Sequence, residues 1–502
     1  MLHQPANKRT SLIFFFTNKM AAIKTAVIML ELVLCFTSCK SDLAIRPESK
    51  SHTDAGTGTT EAASVLSIVQ ILCGCVVSIY KNKQILSWAF YDWANSAYAT
   101  IVLAGFFPLF FKQFWSAQNT VTESTFQLGV ANALASLVIV MLAPLLGAIA
   151  DAGNLKKRLL IVFSLLGISM TLGLYFVEQN SWLLAISFFV LASIGFSGSI
   201  VFNDALLTNI TEEQNYDRVS AFGYAMGYLG GGILFAFNIV MVTTPEWFGF
   251  SSVNDAVRFS FITVSIWWLV FSIPLWLFVH EDKTSEKHST TQTIFSGIVQ
   301  LINTFKIINK LKTVALFLLA YWLYIDGVGT IVRMAVDYGL AIGLEGSDLL
   351  LALLMTQFIG FPAALGFGYA GERMGAKTAI MLAIAVYLAV TIVAYRMKTV
   401  EEFYALAITI GLVQGGIQSL SRSLYARIIP KSQSAEFFGF YNMLGKFAAV
   451  LGPLMIGIIA AMSGSSRLAM FSVSILFISG GILLYFVDEK KAIQVAADID
   501  TK

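Results

Sequence analysis

The stretch SWAFYDWANSAYATIVLAGFFPLFF sets Asp92, with Tyr91 before it and Asn95 a helical turn on, inside a long apolar run. A carboxylate at the centre of a membrane span costs roughly 2.5–3.5 kcal/mol on insertion scales, so Asp92 is expected to face a bundle interior or a wet cavity. A second acid has the same setting, because Trp322 and Asp326 repeat the spacing of Trp88 and Asp92. Asp326, Thr330 and Arg333 stand at i, i+4 and i+7 and share one helix face, as do Gln414, Gln418 and Arg422, and Asn442 with Lys446. At about 1.5 Å per residue, Asp326 and Lys446 fall ~14–18 Å deep, near the middle of a ~30 Å hydrocarbon slab. Such groups can relay a proton, hold an ammonium or receive a carboxylate. Static interhelical salt bridges are the competing reading.

The elements that position these groups are membrane spans. The chain has 502 residues, of which 57% are hydrophobic and 13% charged, and its mean hydropathy is +0.74. No soluble domain of this length hides that much apolar surface. The net charge of +3 is spread out, which gives no argument for nucleic acid. Apolar runs near twenty residues predict about twelve helical spans: 88 to 111, 126 to 149, 159 to 177, 182 to 203, 219 to 242, 259 to 279, 314 to 334, 349 to 370, 377 to 395, 403 to 424, 437 to 461 and 467 to 487. The runs are continuous rather than alternating, which excludes a barrel.

Lys81, Lys83, Lys156, Lys157, Arg158, Arg218, Lys306, Lys310, Arg373, Lys377, Arg427, Lys431 and Lys490 fall on one side of this scheme, against Lys112, Arg258, Arg396, Lys398 and Arg467 on the other. The richer side is expected to be cytoplasmic, with both ends of the twelve-span body inside. The chain also repeats. GAIADAGNLKKRLL is echoed by GYAGERMGAKTAIM, matching Gly147 to Gly368, Asp151 to Glu372 and Lys156 to Lys377. IGFSGSIVFNDALLTN running into FGYAMGY is echoed by IGLVQGGIQSLSRSLY running into FGFYNML. Ordered echoes predict two six-helix halves, residues 86–280 and 314–488, joined by a linker at 281–313 with an amphipathic helix and followed by a tail at 489–502.

Six plus six helices, with GAIADAGNLKKR between the second and third, resemble the major facilitator superfamily. FYDWANSAYATIVLAGFFPLFF, RVSAFGYAMGYLGGGI, QGGIQSLSRSLYARIIP and FFGFYNMLGKFAAVLGP are similar to its vacuole-effluxer-like, autophagy-related branch, also called the unknown major facilitator family. The resemblance covers roughly residues 86 to 488 and implies an all-α integral membrane protein. It implies a central cavity lined by spans one, four, seven and ten, so that Asp92, Asp326, Gln414 and Gln418 face substrate and Lys446 pairs with an acid. It also implies that Asp151, Lys156, Arg158, Glu372, Arg373 and Lys377 gate the transition between halves rather than bind substrate. Asn203, Asp204 and Arg422, near span ends, are either gates or ordinary helix-end residues. Because Asp326 has Arg333 on its own helical face, Asp92 is expected to be the freer acid.

Gly223, Gly227 and Gly231 recur every four residues and give a smooth helix face for close packing. The chain has no GxxxxGK[ST] loop, and His3, His52, His280 and His288 all lie outside the expected spans. No metal-ligand spacing or nucleophile-base pair is recognisable, so no cofactor and no enzymatic activity are expected. Residues 1–85 hold Cys35, Cys39, Cys73 and Cys75; residues 20–39 look like a lipoprotein signal, the two apolar segments could instead insert as an added hairpin, and a start assigned upstream of the true one is the favoured reading.

The expected function is secondary active transport by alternating access in the cell's inner membrane. The cargo would be amino acids or similar small polar metabolites, coupled to protons, without an obligate protein partner. Export of sugars, peptides or drugs is the nearest alternative. A non-transporting membrane sensor or scaffold is the alternative from another class.

Overall fold

Asn82 opens the first helix by accepting hydrogen bonds at its side chain from the amides of Gln84 (2.9 Å) and Ile85 (3.4 Å). The computed structural model describes residues 82–119, 121–281, 299, 311–341, 346–447 and 451–500. The expected N-terminal extension up to residue 81 and the amphipathic helix of the linker lie outside the described residues. Ten long helices follow in order: α1 Lys83–Trp115, α2 Val121–Gly153, α3 Lys156–Phe176, α4 Trp182–Ile210, α5 Tyr216–Thr243, α6 Val253–Phe278, α7 Lys312–Ala341, α8 Gly346–Met374, α9 Ala376–Arg396 and α10 Val400–Ile428. Then come α11 Ser434–Phe447, α12 Leu451–Ser463, α13 Ser466–Ser472, α14 Ser474–Tyr485 and α15 Glu489–Asp500.

Among the described residues, eleven helices are long and apolar enough to cross a membrane, α13 and α14 counting as one span over Arg467–Tyr485. The expected eleventh span, 437 to 461, is described as α11 and α12, on either side of 448–450. Several helices run past their expected ends. α1 begins at Lys83 and α7 reaches Ala341, because polar residues that end an apolar run do not end a helix when a cap or a bundle neighbour satisfies the backbone. The expected tail is also more than a tail: α15 buries Ala492 and Ala496, and Asp500 accepts from the amides of Lys431 (2.9 Å) and Ser432 (3.1 Å).

Neighbour relations repeat along the chain. α1 packs on α5 and α6, α2 on α4, and α3 on α4 and α6; correspondingly α7 packs on α11 and α14, α8 on α10, and α9 on α10 and α14. We call α1–α6 the N half and α7–α14 the C half. Across the boundary α2 meets α11 and α5 meets α8, while α5 and α4 meet α10 and α11 respectively. Glycines permit the closest of these approaches. A Cβ on Gly147 would sit 2.2 Å from the Ala435 carbonyl oxygen, and one on Gly439 would sit 2.6 Å from that of Ala143.

Outside the membrane-spanning segments, Glu281 joins the end of the N half to the start of α3. It accepts from the amide of Lys156 (3.2 Å) and from that of Lys157, and burial pushes its carboxyl above the ordinary glutamate range. Lys157 Nζ donates to the Val279 carbonyl (2.7 Å), just past α6; Lys377 Nζ does the same to Tyr485 and Val487 (2.7 Å each), at and just past the end of α14. The repeat therefore matches Lys157 to Lys377, not Lys156 to Lys377. The helix behind each loop starts at the equivalent residues Lys156 and Ala376, so one residue is lost from the second loop.

Candidate functional site

Arg422 is the centre of the site. It stands about 9 Å inside the end of α10, counted at 1.5 Å per residue, and is 2% exposed. Its Nη1 donates to Asp204 Oδ1 (3.0 Å) on α4 and to Asp92 Oδ2 (3.4 Å) on α1. Its Nε and Nη2 donate to the hydroxyl (2.8 Å) and carbonyl (2.9 Å) of Ser220 on α5. The guanidinium also lies over the rings of Trp88 (4.7 Å) and Tyr224 (4.4 Å). A C-half cation is thus inserted into a pocket made by the N half.

Asp92 is consequently not the free acid expected from sequence. It binds Arg422, and Asn203 Nδ2 donates to its other oxygen (3.0 Å). Asp204 in turn accepts from Asn442 Nδ2 (3.1 Å) of α11. The expected acid partner Lys446 has its Nζ 5.9 Å from the centroid of the Phe196 ring, while the cation on Asp92 is Arg422. Pairing across 330 positions of sequence is a tertiary fact that no local spacing encodes.

The glycine stripe explains how Asp92 reaches this place. Cβ atoms on Gly223, Gly227 and Gly231 would lie 2.3, 2.6 and 2.9 Å from Asp92 Oδ2, Ser96 Oγ and Thr100 Oγ1. Both sets run at i, i+4 and i+8, so one polar face of α1 beds directly on the bare face of α5.

Tyr91 points elsewhere, since the next residue on a helix is turned by about 100°. It is fully buried, with its hydroxyl 2.7 Å from Ser164 Oγ, and ties α1 to α3 rather than facing a pathway. Asn95 is buried too, and its Nδ2 has no hydrogen-bond partner among the described residues. Asp326 Oδ2 accepts from the Gly452 amide (2.9 Å) and Oδ1 from Thr330 Oγ1 (3.3 Å), both groups of the C half. The Arg333 side chain lies outside the described residues.

Between the centre and the face that bears the basic clusters, hereafter the basic face, two further layers join the halves. At the helix ends, Asp217 of α5 takes Arg427 (2.8 Å) and Ser423 Oγ (2.5 Å) of α10, and Arg427 also reaches Glu489 (3.6 Å) of α15. In the second layer, Asp151, in the last turn of α2, accepts from the amides of Ala435 (3.1 Å) and Glu436 (2.8 Å), where a carboxylate suits the positive end of α11. Lys156 lies 3.1 Å from Asp151 and donates to Ser434 Oγ (2.7 Å), and Glu372 pairs with Arg218 (2.5 Å). Arg158 is exposed, as is Arg373, which stacks on Tyr369 of its own helix. Sequence reasoning did not single out Asp217, Arg427 or Ser220. The available signal was an acid opening α5 and an arginine closing α10.

Toward the other face, Asp92, Tyr224, Gln414, Gln418, Asn442 and Lys446 are neither buried nor fully exposed. Charged groups at such depth face water rather than lipid. Gln418 accepts from Tyr228 across the halves (3.5 Å), and Gln414 lines a mainly apolar cavity among α7, α8, α9 and α10.

This architecture is shared with solved transporters. The human organic anion transporter MFSD10 (TETRAN) superposes with a TM-score of 0.62 at 12% identity, over 80% of this chain and 99% of its own. In sequence, the MFS-type transporter YxiO of Bacillus subtilis (strain 168) is 40% identical over 423 residues, 83% of this chain and 97% of YxiO. The protein is a multi-pass, secondary active transporter of the major facilitator fold rather than an enzyme. Residues 119–497 match the family model described as vacuole effluxer Atg22 like, and the chain belongs to that family. Autophagy-related protein 22 of Yarrowia lipolytica (strain CLIB 122 / E 150) is 28% identical over 331 residues, 60% of this chain and 55% of that protein.

Proposed function

We propose that the chain moves a small polar metabolite bearing a carboxylate, of the amino-acid class, by alternating access and with proton coupling. The observation that carries the reading is Arg422, a C-half cation held in an N-half pocket at the junction of a closed basic face and a polar, half-buried centre. Two pseudo-symmetric six-helix bundles, twelve spans with both ends cytoplasmic, and an inner-membrane location complete the proposal. The basic face is then the cytoplasmic one.

In this reading the three layers of cross-half contacts form the inner gate, with Asp151, Lys156, Glu372, Asp217, Arg427 and Arg422 as its parts. Lys446, Asn442, Gln414 and Gln418 meet the cargo from the C half, and Asp92 with Tyr224 meets it from the N half. Lys446 supports the carboxylate assignment because it is a cation at mid-depth beside aromatic and amide groups. Asp326 braces α7 against α12 and acts on the cargo through the position of α7.

A thermal-shift screen of the purified protein in detergent over amino acids, sugars and short peptides tests the cargo. Stabilisation confined to carboxylate-bearing solutes, and lost in Lys446→Gln, is expected. Stabilisation by sugars alone would move the assignment to a sugar carrier. Silence across the panel together with a co-purifying protein would favour the sensor or scaffold reading.

A further inference from the structure

The Arg422 site is unbalanced. Counted as ionised, Asp92, Asp204 and Arg422 sum to one negative charge, with side chains 13%, 5% and 2% exposed. Both acids belong to the N half and the single cation to the C half. Tyr224 of α5 is a titratable group beside both acids, Tyr321 of α7 lies within electrostatic reach of Asp204, Tyr91 of α1 is turned away to Ser164, and Asn442 of α11 adds a neutral donor on Asp204.

We infer that Asp92 and Asp204 form one shared proton site, which Arg422 and a proton occupy in turn as the halves close and part. The inference rests on the alternating-access reading and specifies its coupling site. When the basic face opens, α10 carries Arg422 away and leaves two carboxylates that had shared one guanidinium. Like charges so close, without the guanidinium between them, do not both stay ionised. An O–H bond then forms on a carboxylate oxygen as the Arg422 hydrogen bonds break, with the proton drawn from water on the open side. It leaves to water when Arg422 returns. Arg422 stays protonated throughout.

Asn203 supplies a separate sign of this exchange. Its Nδ2 donates to Asp92, while its Oδ1 is buried with no hydrogen-bond partner among the described residues. Half a turn of the amide exchanges the two atoms and presents an acceptor to a protonated Asp92. One residue therefore serves both states of the acid.

The test needs no cargo. Nitroxide labels at Arg158→Cys and Arg373→Cys, both exposed at the basic face on opposite halves, report its opening by pulsed electron resonance. The four native cysteines, Cys35, Cys39, Cys73 and Cys75, are replaced by serine. As pH falls from about 8 to about 5, the distance distribution of the otherwise unchanged protein should move to longer values. Asp92→Asn or Asp204→Asn alone should shift that transition to lower pH, and the double variant should abolish its pH dependence. A double variant that titrates like the parent would overturn the inference, as would a single variant that does so. Arg422→Gln keeps the outcome readable. If it lengthens the distance while the parent ignores pH, alternating access stands and the proton exchange falls. If it too leaves the distance short, the alternating-access reading falls with it.

Discussion

Arg422 Nη1 lies 3.0 Å from Asp204 Oδ1, and the two residues belong to different halves of the molecule. Their helices, α10 and α4, occupy equivalent places in the two sets of repeated neighbours, so the bond sits close to the pseudo-two-fold relation. The sequence repeat does not extend to the charges, however. In the register that matches Gly195 to Gly411, the residue equivalent to Arg422 is Leu206, and that equivalent to Asp204 is Leu420. Symmetric scaffolding thus carries an asymmetric charge pair, which in the proposed alternating-access cycle holds in one arrangement of the halves and breaks in the other.

Removing one partner of a buried ion pair costs ~3–5 kcal/mol. In Arg422→Gln this cost falls on the closed arrangement alone, which separates it from a general loss of fold. A cysteine at Ser423, buried in the closed basic face, should therefore react faster with a water-soluble maleimide in Arg422→Gln than in the parent background. Equal rates would show that the pair does not hold the face shut.

Asp151 acts from the last turn of α2 as a cap for α11, where loss of a helix cap costs about 0.5–2 kcal/mol. Asp151→Ala should loosen the same face by less than Arg422→Gln and leave the thermal midpoint nearly unchanged. Cysteine reactivity at Ser434, buried beside Lys156, reports the change.

Asp326 differs from Asp92 in what its loss exposes. Asp326→Ala leaves the Gly452 amide without its acceptor, a loss of ~1–3 kcal/mol, whereas Asp326→Asn retains an oxygen for it. A drop in melting temperature for the alanine variant and a much smaller one for the asparagine variant is expected. Equal drops would mean that the charge itself is required.

Glu281 supplies a pH signature outside the spans. Burial raises its carboxyl in the folded state, so the folded protein binds more protons than the unfolded one between the two values. Its contribution is full below the unfolded value and is lost as pH rises through the folded one. The melting temperature of the parent, relative to Glu281→Gln, should fall as pH rises from the ordinary glutamate range; a difference that stays flat with pH would remove this assignment.

Most of the helices were legible in the sequence because long apolar runs have few alternatives in a bilayer. Asp92, Asp151 and the glycine stripe were legible too, since charge or bareness at helical spacing marks a face. The partner on each face was not. By sequence Arg422 is either a gate or an ordinary helix-end residue, and the rings of Trp88 and Tyr224 with both Ser220 acceptors hold it inside. Tyr91 directly precedes Asp92, and neighbours in sequence are turned apart on a helix, so its hydroxyl meets Ser164 instead. Asp217 and Arg427 each resembled an ordinary helix-end charge, and only the packing of α5 on α10 makes them a pair.

Flux through the protein in liposomes tests the central claim most directly. Purified protein, reconstituted and supplied with a panel of labelled amino acids, should give saturable movement that increases with an imposed pH gradient. Arg422→Gln should weaken the response to that gradient, because the gate would no longer close on the N-half acids. No movement of any panel solute, or a response in Arg422→Gln identical to that of the parent, would contradict the account.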